Sequence, residues 1–494
     1  MFDVIFAIAI ASVFLGLAIF RNRPVGLLVI VFLIPLAEIY IRGKGFQFSW
    51  ISVAVIAYFL GRLAVGKLNF KKLSALPCRN HLSILVAYLC ISLLLFSPEN
   101  IPRGIRHFGA IYENVSAYFS ATAAAILLWI LIQTEVDSEH MMASCMRAFL
   151  WSGIYLAVVY LITGVAEIRL PDMLSPRWIS KDLANELGTR GTSFTPSLFA
   201  GSHFTGFIGF TENFAEYLFV LFAFAVTLLL ARLQKKTDIA LGASAIVISL
   251  LLSIPTAIKA YPVMIMLFLI PLVLIGAKGN RRLYIIVTLL FAAIVYYGVR
   301  ETLSQTLYFK RFSVVTERLN KAEKDPSAVA SLARIMGRED IVTFFPKVAE
   351  TGGIFGIGPV IVRAISYSPI PYHNLYYSLW LSFGLMGLVI YIAFFLRMVL
   401  RLIWVRRLSY DLKSSAAALV LIMLVLLIEQ FKVSAFRVSY GVISFWLVFG
   451  LSSACANIII HKDNRDNSSQ VMASIPDVEV LRFDERDSEC ISST

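Results

Sequence analysis

The sequence has few charged residues: Asp, Glu, Lys and Arg make up only 15% of its 494 residues, whereas 59% are hydrophobic. An average soluble domain has about 25% charged residues. The composition therefore excludes an ordinary soluble globular protein, and the mean hydropathy of +0.78 is that of a polytopic membrane protein. The chain also lacks a Rossmann GxGxxG motif, a Walker motif and any internal repeat of roughly 20 to 50 residues.

Cysteine is equally scarce, with five residues in the whole chain. None lies in the two long loops, residues 166–212 and 299–374, that the topology below assigns to the outer face. The sequence therefore predicts no disulfide framework. The five are Cys78, Cys90, Cys145, Cys455 and Cys490.

Long apolar runs are abundant. We identify thirteen runs of about 20 mostly apolar residues, the length that a helix needs to cross the hydrocarbon layer. The predicted fold class is an all-α polytopic membrane protein with about 12–13 transmembrane helices. The runs are centred near residues 11, 33, 56, 89, 124, 156, 222, 247, 268, 290, 385, 422 and 448.

Basic residues predict the orientation of these helices. They concentrate in short loops, which the positive-inside rule assigns to the cytoplasm. The N-terminus and the loops 166–212 and 299–374 then lie outside, and a membrane domain of residues 1–459 precedes a polar, disordered cytoplasmic tail of residues 460–494. The basic loops are residues 21–23, 67–79, 232–236, 278–282 and 397–413.

One loop conflicts with this topology. Residues 134–147 should face the cytoplasm, yet they carry Glu135, Asp137 and Glu139 against Arg147. The net charge of +13 comes mostly from residues that flank helices on the cytoplasmic side. Anionic lipid head groups are therefore the expected partner, and nucleic acid is not.

The loop 299–374 is too long and too hydrophobic for a plain linker, so both long loops are expected to hold short helices. Asp325-Pro326 predicts a helix start, and Gly352-Gly353 predicts its end, with Pro346 kinking or shortening it. Arg334 and Arg338 lie four residues apart and therefore share a face of this helix.

Farther along the chain, His373-Asn374 opens a hydrophobic helix that carries Gly384 and Gly387. An imidazole and an amide at the mouth of a membrane helix are placed to meet a polar group at the bilayer surface. Two glycines one turn apart predict the close approach of another helix.

Arginines beside apolar surface outside a membrane suit an anionic lipid head such as a pyrophosphate, because a guanidinium binds phosphate oxygens bidentately and keeps its charge. Glycosyl transfer from a lipid pyrophosphate needs stabilisation of the leaving group and at most one base. The sequence has no Asp-x-Asp pair to hold a metal, which favours arginine in that role and His373 as the base.

The segment from residue 331 to 388 resembles the signature region of the O-antigen ligase and Wzy-type polysaccharide polymerase superfamily. In that family an arginine is followed by Gly-x-Gly and then by His-Asn at the start of a helix with two glycines. Weaker similarity places Asn213 at the start of an earlier helix and Lys259 where the family more often has arginine. The matching residues are Arg338, Gly356, Gly358, His373, Asn374, Gly384 and Gly387.

The resemblance implies a GT-C-like glycosyltransferase in the bacterial inner membrane that works on the outer, periplasmic face without metal or other cofactor. The donor would be an undecaprenyl-pyrophosphate-linked oligosaccharide. As catalytic residues we predict Arg338 and His373. The predicted pyrophosphate- and glycan-binding residues are Arg190, Lys259, Arg334, Asn374 and Asn213.

Two acceptors are compatible with the predicted glycosyltransferase. A polymerase would use the next lipid-linked repeat unit and could require a chain-length regulator, whereas an O-antigen ligase would use the lipid A-core. The length of the chain favours the polymerase. A transporter or flippase of lipid-linked sugars is the alternative from another class, and it would place ionisable groups near the midplane on broken helices.

Overall fold

The computed structural model describes part of the chain, and the structural statements below concern the residues that it describes. They are residues 2–20, 24–43, 46–68, 73–74 with 76–94, 108–165, 211–231, 236–256, 260–275, 340–358, 374–408, 412–431 and 439–473.

The described part of the chain is mostly helical, as predicted. Six helices have segments that are long and apolar enough to cross a membrane: Ser116–Glu135, Glu139–Ile162, Asn213–Leu230, Lys236–Ser253, Leu375–Val405 and Tyr440–Lys462. The helices are α1 (Phe2–Phe20), α2 (Val25–Leu33), α3 (Trp50–Ala64), α4 (Arg79–Leu94), α5 (Phe108–Glu135), α6 (Glu139–Val165), α7 (Thr211–Leu230), α8 (Lys236–Thr256), α9 (Ala260–Ile275), α10 (Asp340–Gly352), α11 (Leu375–Val405), α12 (Lys413–Glu429) and α13 (Ser439–Ala473).

Twelve of the thirteen predicted centres fall inside one of these helices, and the one near residue 290 lies outside the described residues. The predicted loop helix is described from Asp340 and ends at Gly352, as expected, although Pro346 lies within it. Helix α13 continues to Ala473, past residue 460, where the polar tail was predicted to start.

A two-stranded antiparallel hairpin precedes α3 and was not predicted from the sequence. Strand β1 (Tyr40–Gly43) pairs with β2 (Phe46–Ser49), with Tyr40 opposite Ser49. The hydroxyl of Ser116 on α5 joins the hairpin to the helices, because it accepts a hydrogen bond from the Gln47 N–H at 2.8 Å.

The hairpin marks one end of the helix bundle, which we call the hairpin end. Glu38 connects it to the start of α13, since its carboxylate accepts hydrogen bonds from the Tyr440 N–H at 2.7 Å and from the Tyr40 hydroxyl at 2.8 Å. A carboxylate is well placed at a helix N-terminus, where N–H groups lack partners within the helix. Helices α7 and α11 also begin at this end.

The opposite end, which we call the ion-pair end, holds three salt bridges between helices. Arg62 on α3 pairs with Glu135 on α5 at 2.5 Å, and both side chains are buried. Arg147 on α6 contacts both carboxylate oxygens of Asp238 on α8, at 2.7 and 2.9 Å. A more exposed pair joins Glu139 to Lys462 on α13.

These pairs account for the acidic loop that conflicted with the predicted topology. Glu135 and Glu139 are neutralised by basic residues from α3 and α13, so their charges do not oppose a cytoplasmic position for residues 134–147. The acidic residues of this loop were a poor guide to topology. The positive-inside rule depends on Lys and Arg, and Asp and Glu contribute little to the orientation.

The core is apolar and aromatic, and α7 lies at its centre. Every residue from Asn213 to Leu230 is buried, which a helix reaches only when neighbours surround it. Helices α8, α9, α12 and α6 supply most of those neighbours. Between α11 and α13, rings pack edge to face at 4.7 to 5.5 Å between Phe395 and Phe445, Trp446 and Phe449.

Candidate functional site

Asn374 opens α11 and caps it. Its backbone is extended, and its side-chain oxygen accepts hydrogen bonds from the N–H groups of Tyr376 at 2.9 Å and Tyr377 at 3.1 Å. This is the geometry for which asparagine is preferred at a helix start. The residue is 1% exposed, and its amide nitrogen has no hydrogen-bond partner among the described residues. The helix cap therefore leaves one buried donor unsatisfied.

Asn213 lies at the same end of the bundle, in a buried polar cluster around Glu216. The Asn213 amide donates to one Glu216 carboxylate oxygen at 3.2 Å, and the Gln430 amide donates to the other at 2.7 Å. The main-chain oxygen of Gln430 in turn accepts from the Leu375 N–H at 2.9 Å. The first turns of α7 and α11 and the last turn of α12 therefore meet, and they bring Asn213 and Asn374 to one place.

Glu216 and Gln430 were missed as candidate residues. The signal that would have found them is a carboxylate and an amide near the ends of otherwise apolar helices, since polar groups buried in a membrane protein are costly and commonly functional. Gln430 is completely buried and Glu216 is 3% exposed. Burial makes the hydrogen bond between them, and the one from Asn213 to Glu216, important for the stability of the cluster.

A cavity of about 550 Å³ runs from Asn374 along α11. Four of its lining residues are substantially exposed, namely Phe345, Ile392, Leu396 and Phe431, so the cavity is a groove open to one side. We call it the α11 groove. Its wall is apolar and aromatic, and it is built by α11, Phe345 of α10, the end of α12 and Phe445 of α13.

Helix α11 is broken at Gly384, which has a φ of +71° and a ψ of 179°. Residues 353–358, which follow α10, dock into the break and satisfy the peptide groups that it frees. We call them the docked segment. The Ile357 and Gly358 N–H groups donate to the Leu381 and Ser382 oxygens at 2.8 and 3.1 Å, and the Leu385 and Met386 N–H groups donate to the Gly353 and Ile354 oxygens, both at 3.1 Å.

Two glycines make this docking possible. Gly356 has a φ of +79° and lies directly against the backbone of Phe383 and Gly384, where a Cβ atom would have no room. A Cβ on Gly384 would in turn collide with the main chain of Ile354 and Phe355. Both positions thus require glycine for backbone conformation and for space.

Helix α4 completes the surroundings of the break. The Tyr88 hydroxyl donates to the Phe383 oxygen at 2.5 Å, and a Cβ on Gly387 would lie 2.9 Å from the Tyr88 ring. The predicted close helix approach is therefore found at Gly387. At Gly384 the structure differs, because the neighbour is the docked segment.

Helix α10 is attached to α11 through Trp380. The Trp380 indole donates to the Gly353 oxygen at 2.9 Å, and its ring packs edge to face on Phe345 at 5.6 Å. On the other side Val348 is fully buried beside Tyr377 and Leu381. This short loop helix thereby forms part of the wall of the α11 groove.

Of the seven predicted site residues, the structure describes Asn213 and Asn374 and brings them to the same end. The other five lie outside the described residues, and their roles stay predictions. They are Arg190, Lys259, Arg334, Arg338 and His373. Among the described residues, no group of three or more His, Cys, Asp or Glu side chains is placed to hold a metal ion.

Comparison of the chain with models of protein families and with curated proteins gave no match.

Proposed function

We propose that this chain is a membrane glycosyltransferase that takes a glycan from an undecaprenyl-pyrophosphate donor, as a Wzy-type polymerase of surface polysaccharide repeat units. The observation that carries the proposal is the α11 groove. It is apolar and aromatic along its wall, and it ends at a buried amide that has no hydrogen-bond partner among the described residues. A long lipid chain with a polar head fits this combination.

The residues of the sequence signature suggest which groups carry out the proposed reaction. Arg338 precedes α10, and His373 directly precedes Asn374 at the mouth of the groove. In the proposed reaction the guanidinium of Arg338 stabilises the departing pyrophosphate, with Arg190, Arg334 and Lys259 as further cations. His373 accepts the proton of the acceptor hydroxyl.

In this reaction the oxygen of the acceptor sugar attacks the anomeric carbon of the donor glycan. The bond from that carbon to the pyrophosphate breaks, and its electron pair leaves with the pyrophosphate. A GT-C-like fold and an active site on the periplasmic face of a bacterial inner membrane are part of the same proposal. Transfer to lipid A-core, the ligase reaction, differs only in the acceptor.

The first experiment replaces the two catalytic residues in the purified protein and follows the length of lipid-linked glycan from a labelled repeat unit. Arg338→Ala and His373→Ala should each lower the rate about 100-fold or more, the usual cost of a lost transition-state contact. Arg79→Ala and His140→Ala are matched controls, because both are exposed residues at the ion-pair end. Full activity in either catalytic variant would refute the assignment.

The second experiment fills the groove. Leu388 lines it, whereas Leu400 on the same helix is 50% exposed and does not. Leu388→Trp should raise the KM for the lipid-linked donor, and Leu400→Trp should leave it unchanged. Equal effects of the two variants would show that the donor lipid does not use the groove.

The lipid-linked material in a deletion strain separates the candidate reactions. A single repeat unit on the lipid indicates a polymerase, and a complete polymer on the lipid indicates a ligase. Activity should also survive EDTA, and a loss that magnesium restores would contradict a metal-independent enzyme.

The broken helix α11 is the observation that favours a transporter of lipid-linked sugars, since transporters bind substrates at such breaks. The peptide groups at this break are, however, hydrogen-bonded by the docked segment and by Tyr88. A transporter would move a labelled lipid-linked sugar across a vesicle membrane without lengthening its glycan. The same purified protein can be tested for this movement.

A further inference from the structure

Two arginines on α11 form a cationic site at the ion-pair end, far from the α11 groove mouth. Arg397 and Arg401 lie four residues apart and therefore face the same way. Arg397 is exposed and Arg401 is half-buried. Among the described residues, no carboxylate lies within salt-bridge distance of either guanidinium. Two neighbouring cations without an acid are electrostatically unfavourable unless an anion joins them.

The guanidinium of Arg401 is held in place by a chain of hydrogen bonds through the bundle. One of its nitrogens, Nη2, donates to the Asn457 oxygen at 2.6 Å, and the Asn457 amide donates to the Gln133 oxygen at 3.1 Å. The Gln133 amide then donates to the Gly450 main-chain oxygen at 2.7 Å. The guanidinium therefore cannot turn outward without breaking these hydrogen bonds.

The other terminal nitrogen of Arg401, Nη1, is buried and has no hydrogen-bond partner within the part of the chain that the structure describes. A long basic side chain that merely reached for water would place its nitrogens at the surface. The fixed, unsatisfied nitrogen of Arg401 is instead a donor prepared for a ligand. Cys78 borders the site: burial raises the pKa of its thiol, while the charges of Arg401 and Arg397 act on it in the opposite sense.

The depth of the pair indicates which anion it meets. The partners of Arg401 give its depth: Asn457 lies 17 residues after Tyr440, and Gln133 lies 17 residues after Ser116, which is about 26 Å along a helix from the hairpin end. With the hairpin end at one surface of the bilayer, Arg401 lies near the far boundary of about 30 Å of hydrocarbon, and Arg397, one turn closer, reaches the same level of lipid phosphates with its long side chain. The neighbouring side chains of Leu400, Ile403 and Trp404 are exposed and apolar, as expected for a surface that faces lipid.

We propose that Arg397 and Arg401 bind the phosphate of an anionic phospholipid in the leaflet at the ion-pair end. Arg397 reaches the phosphate from the lipid side, and Arg401 donates from Nη1 within the bundle. A bound lipid of this kind would hold α4, α11 and α13 together where their contacts are polar. The proposal is independent of the glycosyltransferase reaction.

The test is native mass spectrometry of the delipidated full-length protein titrated with phosphatidylglycerol, phosphatidylcholine or inorganic phosphate. We expect one tightly bound phosphatidylglycerol, with affinity reduced about 10-fold to 100-fold in Arg397→Gln, the effect of losing one charged hydrogen bond. Arg407→Gln is the matched control, because Arg407 is an exposed arginine two turns farther along the same segment.

Arg401→Lys keeps the charge but loses the planar guanidinium, which can donate hydrogen bonds from two terminal nitrogens in different directions. It should also weaken phosphatidylglycerol binding. Equal weakening by Arg407→Gln would mean general attraction to a basic surface and would overturn the site. Binding of free phosphate with the same dependence on Arg397 would overturn the lipid as its occupant.

Discussion

The break in α11 gives the sharpest prediction about the fold, namely that Gly384→Ala undocks residues 353–358. Gly384 has a φ of +71° and a ψ of 179°, a backbone region that is essentially open only to glycine, where an alanine costs about 1–3 kcal/mol. Its new Cβ would also collide with the main chain of Ile354 and Phe355, which cannot give way as a flexible side chain would. The docked segment must then leave.

The magnitude follows from the hydrogen bonds that undocking breaks. Four of them join the docked segment to α11, and each contributes about 0.5–1.5 kcal/mol net. Together with the backbone term, we expect Gly384→Ala to lower the free energy of unfolding by roughly 3 kcal/mol or more. The indole of Trp380 loses its main-chain acceptor as well.

Gly66→Ala is the matched control. Gly66 has nearly the same φ, +68°, but nothing lies within 4 Å of the position that a Cβ would take. It should therefore lose only the cost of a positive φ, about 1–2 kcal/mol. A loss in Gly384→Ala that exceeds about 3 kcal/mol, the upper backbone cost for its own φ and ψ, reports the collision.

Two measurements check the reasoning. Unfolding in mixed detergent micelles compares the free energies of the two variants, and hydrogen exchange follows the N–H groups of Ile357, Gly358, Leu385 and Met386. These amides should lose protection in Gly384→Ala only. If the two variants lose equal stability and the amides stay protected, the docked segment is not held by the contacts described above.

Two further predictions concern the ends of the bundle. Arg62→Met should cost about 3–5 kcal/mol in the same unfolding assay, because it leaves the buried Glu135 charge unpaired; adding Glu135→Leu should recover most of that loss, and no recovery would contradict the pairing. Asn374→Ala should cost about 0.5–2 kcal/mol through the lost helix cap, whereas Asn374→Ser should keep most of the stability. Both Asn374 variants remove the unpartnered amide, so donor turnover should fall in both, and normal turnover in the serine variant would exclude a ligand role for that amide.

The positions of the helices could be predicted from the sequence because a membrane helix must be apolar over about 20 residues, and few other features produce such runs. The hairpin of residues 40–49 could not, because it is short and its pairing depends on Ser116, far along the chain. The broken helix was also hidden. Gly384 lies in an unbroken apolar run, and only the arrival of residues 353–358 makes its positive φ favourable.

The candidate site was partly predictable for the same reason. Asn374 was found because an asparagine before an apolar run is a local signal for a helix cap. Glu216 and Gln430 were not, because the contact that joins them, 2.7 Å between the Gln430 amide and the Glu216 carboxylate, links positions more than 200 residues apart. Local patterns carry no information on such contacts.

The docked segment also bears on how the family resemblance should be read. Gly356 and Gly384 are separate parts of the signature in sequence, yet in the structure they lie against each other and require each other. The spacing of these glycines is therefore explained by the fold, because the break in α11 needs them whatever the protein binds. The docking does not explain why Arg338 and His373 are part of the signature. The glycines thus support the architecture, and the proposed chemistry depends on the arginine and the histidine, which is why their replacement is the decisive test.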